Sequence, residues 1–150
     1  MKKVGMIFKI IIICLLLFVL AINISVIIQA KNHEDEVPKI LGVKPFVVLS
    51  GSMNPEIEVG DLVLVKEVDT NTLKEGDIIA YRDFNDKVTT HRIVEVKNDG
   101  TNLSFITKGD ANNANDSSEV KQSQVNGVVQ VKIPFIAYPT VWLSEFLHNK

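Results

Sequence analysis

Ser52 lies in the stretch VLSGSMNPEIEVGD (Val48 to Asp61), where Ser50-Gly51-Ser52 runs into Met53-Asn54-Pro55. A serine hydroxyl is a poor nucleophile until a neighbouring base takes its proton, so Ser52 is chemically interesting only with a base beside it. Of the three histidines, His33 falls in a charged linker and His148 near the C-terminus, whereas His91 sits inside the strand-like VTTHRIVEV (Val88 to Val96). A base has to be held by a rigid element, which singles out His91. An imidazole acting as base also needs a carboxylate to fix its tautomer and stabilise the imidazolium. KGDANNAND offers two, Asp110 and Asp116. By composition alone that stretch is equally an ordinary solvated turn, since Asn, Asp and Gly are turn-forming residues. By position alone a strand histidine is more simply a packed or surface residue.

Other chemistries are disfavoured. The single cysteine, Cys14, lies in an apolar run, so neither an intrachain disulfide nor a cysteine-based zinc site can form, and the histidine spacings match no metal-binding pattern. No metal and no cofactor are expected. A net charge of -2 without a basic cluster leaves no electrostatic footprint for nucleic acid.

The elements that must position these residues begin with an apolar segment. From Ile7 to Ala30 the chain reads IFKIIIICLLLFVLAINISVIIQA, interrupted only by Lys9, Asn23, Ser25 and Gln29. At ~1.5 Å per residue, roughly 20 helical residues cross a ~30 Å hydrocarbon core. Each central Leu, Ile, Phe or Val favours insertion by about 0.3 to 0.6 kcal/mol, which outweighs the few polar residues near one end. Lys2, Lys3 and Lys9 precede the segment's core and HEDE (His33 to Glu36) follows it. The positive-inside rule then predicts a cytoplasmic N-terminus and an extracytoplasmic remainder. A cleavable signal peptide ending at Ala30 is the alternative, but its apolar region usually spans only ~7 to 15 residues.

Beyond the linker, β-branched and alternating runs recur: FVVLS (46–50), DLVLVKEV (61–68), GDIIAYR (76–82), VTTHRIVEV (88–96), LSFITK (103–108) and VNGVVQVKI (125–133). Turn-forming stretches separate them, which predicts a mainly β, antiparallel body. Strict alternation would put Thr89, His91, Ile93 and Glu95 on one face of the fourth run and Val88, Thr90, Arg92, Val94 and Val96 on the other. The expected organisation is a cytoplasmic tip and transmembrane signal anchor over 1–30, a linker over 31–39 and a β-rich domain over 40–138. A short C-terminal interfacial helix over 139–150 follows, with Tyr138 and Trp142 near lipid headgroups.

SGSMNPEIEVGD, KEGDIIAY, THRIVEV and KGDANNAND occur in that order behind the apolar segment. Together they resemble the type I signal peptidases over nearly the whole chain, through about Pro139. The bacterial P-type branch carries a lysine base in the strand where this chain has His91 before Arg92. The chain therefore resembles the ER-type branch of eukaryotic ER, archaeal and some Gram-positive enzymes, a Ser/His/Asp machine.

The resemblance implies Ser52 as nucleophile, His91 as general base and Asp116 as the acid of the triad, favoured over Asp110, which would hold the loop. The family pattern commonly reads Gly-Asp-Asn-Asn where this chain reads Gly-Asp-Ala-Asn-Asn. It also implies an oxyanion site built from the Ser52 N–H with Ser50, Gly51 and Met53 around it. Small residues before the cut would fill shallow pockets, for which Phe46, Val47, Val48 and Ile57 are the candidate liners. The implied partners are signal peptides of secreted preproteins, the lipid bilayer and membrane partner subunits. A histidine starts near pKa ~6.5, so activity is expected to rise as pH passes about 6 to 7.

Two other readings stand beside this one. A Ser/Lys self-cleaving peptidase would have to use Lys87, and a membrane-tethered β-domain could bind partners without catalysis. A glycan at the Asn115-Asp-Ser sequon would crowd Asp116, which favours a bacterial or archaeal plasma membrane over the ER lumen.

Overall fold

The computed structural model describes residues 2–32, 39–100 and 102–137. Residues 33–38 of the expected linker and the whole expected C-terminal helix over 139–150 lie outside the described residues. The chain divides into two compact units, Met1–Gly42 and Val43–Lys150.

The first unit contains the helix α1 (Lys2–Asn32), 31 residues long. Its side chains are described at residues 6–21 and at Ile24. Every large apolar side chain among them is exposed, Ile12 least at 40%. Among the described residues no helix is long and apolar enough to cross a membrane, so the structure does not itself supply the expected transmembrane span.

The second unit is a mainly antiparallel seven-stranded sheet in the order β1-β2-β7-β3-β4-β5-β6. Its strands are β1 (Val43–Val47), β2 (Leu62–Lys66), β3 (Ile78–Arg82), β4 (Val88–Asn98), β5 (Leu103–Lys108), β6 (Val120–Lys121) and β7 (Val125–Ile133). β1 begins and ends earlier than the apolar run FVVLS indicates. Pro45, opposite Leu64, has no N–H to give a second neighbour and is tolerated because β1 is an edge strand. Ser52 consequently lies in a turn beyond β1.

β3 is the strand that divides the interior. Successive side chains point to opposite faces. Ile79 and Tyr81 join Leu73, Ile93, Phe105 and Val120 in one buried cluster. Ala80 joins Met53, Ile57, Val63 and Val65 in the other. β4 departs from strict alternation: its register with β5 slips between Ile93 and Glu95, leaving Val94 as an extra residue. The bulge lets Ile93 and Val96 pack in the same cluster, which the simple two-residue period forbids.

Candidate active site

Ser52 is carried by the loop between β1 and β2, whose base is closed by paired backbone bonds. Val48 N–H donates to Asp61 O at 2.9 Å and Gly60 N–H to Val48 O at 2.9 Å. The buried Asp61 carboxylate accepts from Glu58 N–H at 2.9 Å and Phe135 N–H at 3.2 Å, tying the loop to the segment after β7. The loop is pinned from below by Met53 and Ile57, 2% and 1% exposed. Met53, expected beside the oxyanion, thus has its side chain in the core, where it floors the cleft next to Ser52. Gly51 has no left-handed φ, and a Cβ there would meet only the flexible Asn54 amide, at 3.1 Å.

His91 projects from β4 opposite Ile79 and beside Tyr81, whose ring meets the imidazole edge-on with centroids 6.4 Å apart. His91 Nε2 lies 3.2 Å from Ser52 Oγ, and Nδ1 lies 2.7 Å from Asp116 Oδ2. Hydroxyl, imidazole and carboxylate therefore form one hydrogen-bonded line. Ser50 Oγ stands 3.4 Å from Ser52 Oγ.

Asp116 reaches this position because the loop after β5 folds back on the strand. Asp116 N–H donates to Thr107 O at 2.8 Å, and Thr107 Oγ1–H donates to Asp116 Oδ2 at 2.6 Å. The same loop also braces the serine turn: Ala111 N–H donates to Ser52 O at 2.8 Å. Gly109 permits that approach, since a Cβ there would lie 2.6 Å from the Ser52 carbonyl oxygen.

Asp110 goes elsewhere. Its carboxylate takes both arms of Arg92, at 2.9 Å from Nε and 2.6 Å from Nη2, while Arg92 Nη1 donates to Gly76 O at 2.9 Å. His91 and Arg92 are consecutive on a strand and face opposite sides, so each draws its own aspartate. Lys87, the lysine a Ser/Lys mechanism would need, lies in the exposed turn between β3 and β4.

Two further residues complete the site: Tyr81, the last residue of KEGDIIAY, and Thr107, just before KGDANNAND. Tyr81 O–H donates to Asp116 Oδ2 at 3.0 Å and lies 3.5 Å from His91 Nδ1, and Thr107 Oγ1 lies 3.2 Å from the phenol oxygen. Burial pushes the Tyr81 phenol well above its ordinary pKa, and the Asp116 charge adds to this. The phenol is therefore a standing donor at neutral pH. In sequence Tyr81 is legible as an apolar member of a buried strand; its tie to Asp116 depends on sheet register.

A cleft of about 280 Å³ opens at Ser52, lined among others by Phe46, Val47, Val48, Ile57, Thr89 and Thr90. A second cleft of about 630 Å³ shares Thr89 and has His91, Asp116, Phe84 and Val120 in its lining. Among the described residues no group of His, Cys, Asp and Glu side chains is arranged to hold a metal ion.

An antiparallel sheet that brings a serine, a histidine and an aspartate into line in this way has the architecture of a serine peptidase. The Peptidase S24-like family matches residues 43–129, and the chain belongs to that family. It is similar to Signal peptidase I W of Bacillus subtilis (strain 168), 38% identical over 111 residues that make up 73% of this chain and 58% of that protein. It is also similar to the Signal peptidase complex catalytic subunit SEC11 of Verticillium alfalfae, 37% identical over 66% of this chain and 63% of the relative. The subunit of the same name from Candida tropicalis is 34% identical over 69% of this chain and 68% of the relative. The chain thus spans about three-fifths of the first two relatives' length. The resemblance to ER-type type I signal peptidases carried by the four motifs agrees with these matches.

Proposed function

We propose that this chain is a membrane-tethered serine endopeptidase that removes signal peptides from secretory preproteins. The observation that carries the reading is the hydrogen-bonded line from Ser52 Oγ through His91 to Asp116, set at the mouth of an apolar cleft. Asp116 accepts from Nδ1–H and so leaves the Nε2 lone pair directed at Ser52. His91 takes the hydroxyl proton as Ser52 Oγ attacks the scissile carbonyl, and the Ser52 N–H with the Ser50 hydroxyl stabilises the resulting oxyanion. His91 then gives the proton to the leaving amine, which departs toward the wider cleft, and water hydrolyses the acyl-enzyme by the same steps in reverse. Phe46, Val47, Val48 and Ile57 receive the small side chains that precede the cut, while the amine half belongs to the mature protein.

In this reading α1 is the anchor. The described residues alone fall short of a crossing, but the sequence is apolar from Ile7 to Ala30 and the helix runs over Lys2–Asn32. A helix that is apolar all round needs an apolar surrounding. Partner subunits in the membrane are compatible with this anchor.

The decisive experiment incubates membranes holding the full chain with a secretory preprotein and follows the cut product. Ser52→Ala is expected to leave no cleavage above background, whereas a cut product at the wild-type rate would favour a binding domain without catalysis. The two aspartates separate in the same assay. Asp116→Asn is expected to lower cleavage about 10⁴-fold by permitting the wrong imidazole tautomer. Asp110→Asn weakens a partly exposed ion pair and is expected to cost about 1 kcal/mol in urea unfolding, with a much smaller loss of cleavage.

A further inference from the structure

We infer that Tyr81 and Thr107 are positioning residues for the reaction, their two hydroxyls holding Asp116 Oδ2 so that the proton stays on His91 Nδ1 and the Nε2 lone pair faces Ser52. This rests on the proposed peptidase reading and extends it to residues outside the serine, histidine and aspartate boxes.

Asp116 Oδ2 has three neighbours within hydrogen-bonding distance: Thr107 Oγ1 at 2.6 Å, His91 Nδ1 at 2.7 Å and Tyr81 OH at 3.0 Å. An ionised carboxylate only accepts, so each neighbour supplies a hydrogen. With all three directed at one oxygen, the carboxylate cannot turn without breaking several bonds at once. The two hydroxyls sit on the two strands that flank β4: Tyr81 is 5% exposed on β3 and Thr107 is fully buried on β5. β4, bearing His91, lies between them. Asp116 comes from a loop, and a loop residue placed against a strand histidine needs such fixed points.

The hydroxyls also set how strongly the carboxylate attracts the imidazolium proton. Donors to a carboxylate spread its charge. Taking one away leaves a carboxylate that holds the protonated imidazole more tightly, so His91 releases its proton at higher pH. The charged groups around the imidazole are few. Arg92 on β4 is engaged with Asp110, and Glu119 beyond the loop is paired with Lys97. Asp83, past the end of β3, and Lys121 on β6 line the wider cleft that His91 also lines. Asp116 is the charged group in hydrogen-bonding contact with the imidazole among the described residues.

The test uses the full chain in membranes or detergent micelles, with Tyr81→Phe and Thr107→Val made singly. Each is expected to lower kcat about tenfold at neutral pH, as loss of a hydrogen bond to a charged group does. KM should change little, and the acid limb of the pH profile should move to higher pH. In parallel, ring-nitrogen NMR of His91, assigned by its disappearance in His91→Gln, should show the Nδ1–H tautomer in the wild type. In the variants it should show mixed tautomers and titration at higher pH. Wild-type pH profiles and ring signals in both variants, even with lowered thermal stability, would overturn the inference and leave only a packing role. Cleavage by Ser52→Ala would instead sink the peptidase reading, and the ring-nitrogen spectra would still judge the clamp.

Discussion

Replacing His91 by alanine is expected to reduce preprotein cleavage by roughly 10⁴ to 10⁶-fold, because losing the base of a serine triad forfeits most of its catalysis at once. Nothing else described within reach of Ser52 Oγ can take its proton: Ser50 Oγ, at 3.4 Å, is itself a weak base. The variant should remain folded, since His91 contributes to neither apolar cluster, and circular dichroism with a thermal melt checks this. His91→Lys should not restore activity. A lysine there would set its ammonium against Asp116, and an opposite charge raises a pKa that already starts near ~10.4. The lysine would stay protonated at neutral pH. Wild-type cleavage by the alanine variant would remove His91 from the chemistry altogether.

A further loss of rate is expected at a residue with no side chain. Gly109→Ala places a methyl 2.6 Å from the Ser52 carbonyl oxygen and 2.8 Å from Asn112 Nδ2. The amide can turn aside, but the backbone oxygen can yield only if the serine turn moves. Displacing a nucleophile by about 1 Å costs on the order of 10²-fold in rate, so kcat should fall by about that much. The substitution lies just past the end of β5, so the sheet should survive and urea unfolding should change far less than activity. A variant with wild-type kcat would show that the contact between the loop and Ser52 O is dispensable.

How much of this was legible in the sequence differs by element, for physical reasons. The strands β2, β3, β4, β5 and β7 each coincide with a β-branched run bounded by turn residues. β1 is displaced because Pro45 reads as a breaker along the chain, and only knowledge that the strand lies at an edge makes it acceptable. β6, just Val120–Lys121, has no period to detect; it exists because the preceding loop returns to β5. At the site, Ser52, His91 and the aspartate loop are readable as residue types within motifs. The sorting of Asp110 to Arg92 and Asp116 to His91 follows from opposite faces of one strand, which alternation hints at but spacing cannot assign. The hydroxyls of Tyr81 and Thr107 were invisible because their common partner is created by sheet pairing, and a buried tyrosine or threonine in a strand has no local mark of such a partner. The slip at Val94 was hidden in the same way, being a property of two strands together.

The segment after β5 grips the carbonyl of Ser52 near one end and carries Asp116 near the other. It therefore behaves as a caliper whose jaws stand on either side of the imidazole. Because Asp116 is also tied to Tyr81 and Thr107 on the sheet, the span between the jaws is set by strands, and any change that lengthens or shortens the segment is felt at both hydrogen bonds of the imidazole.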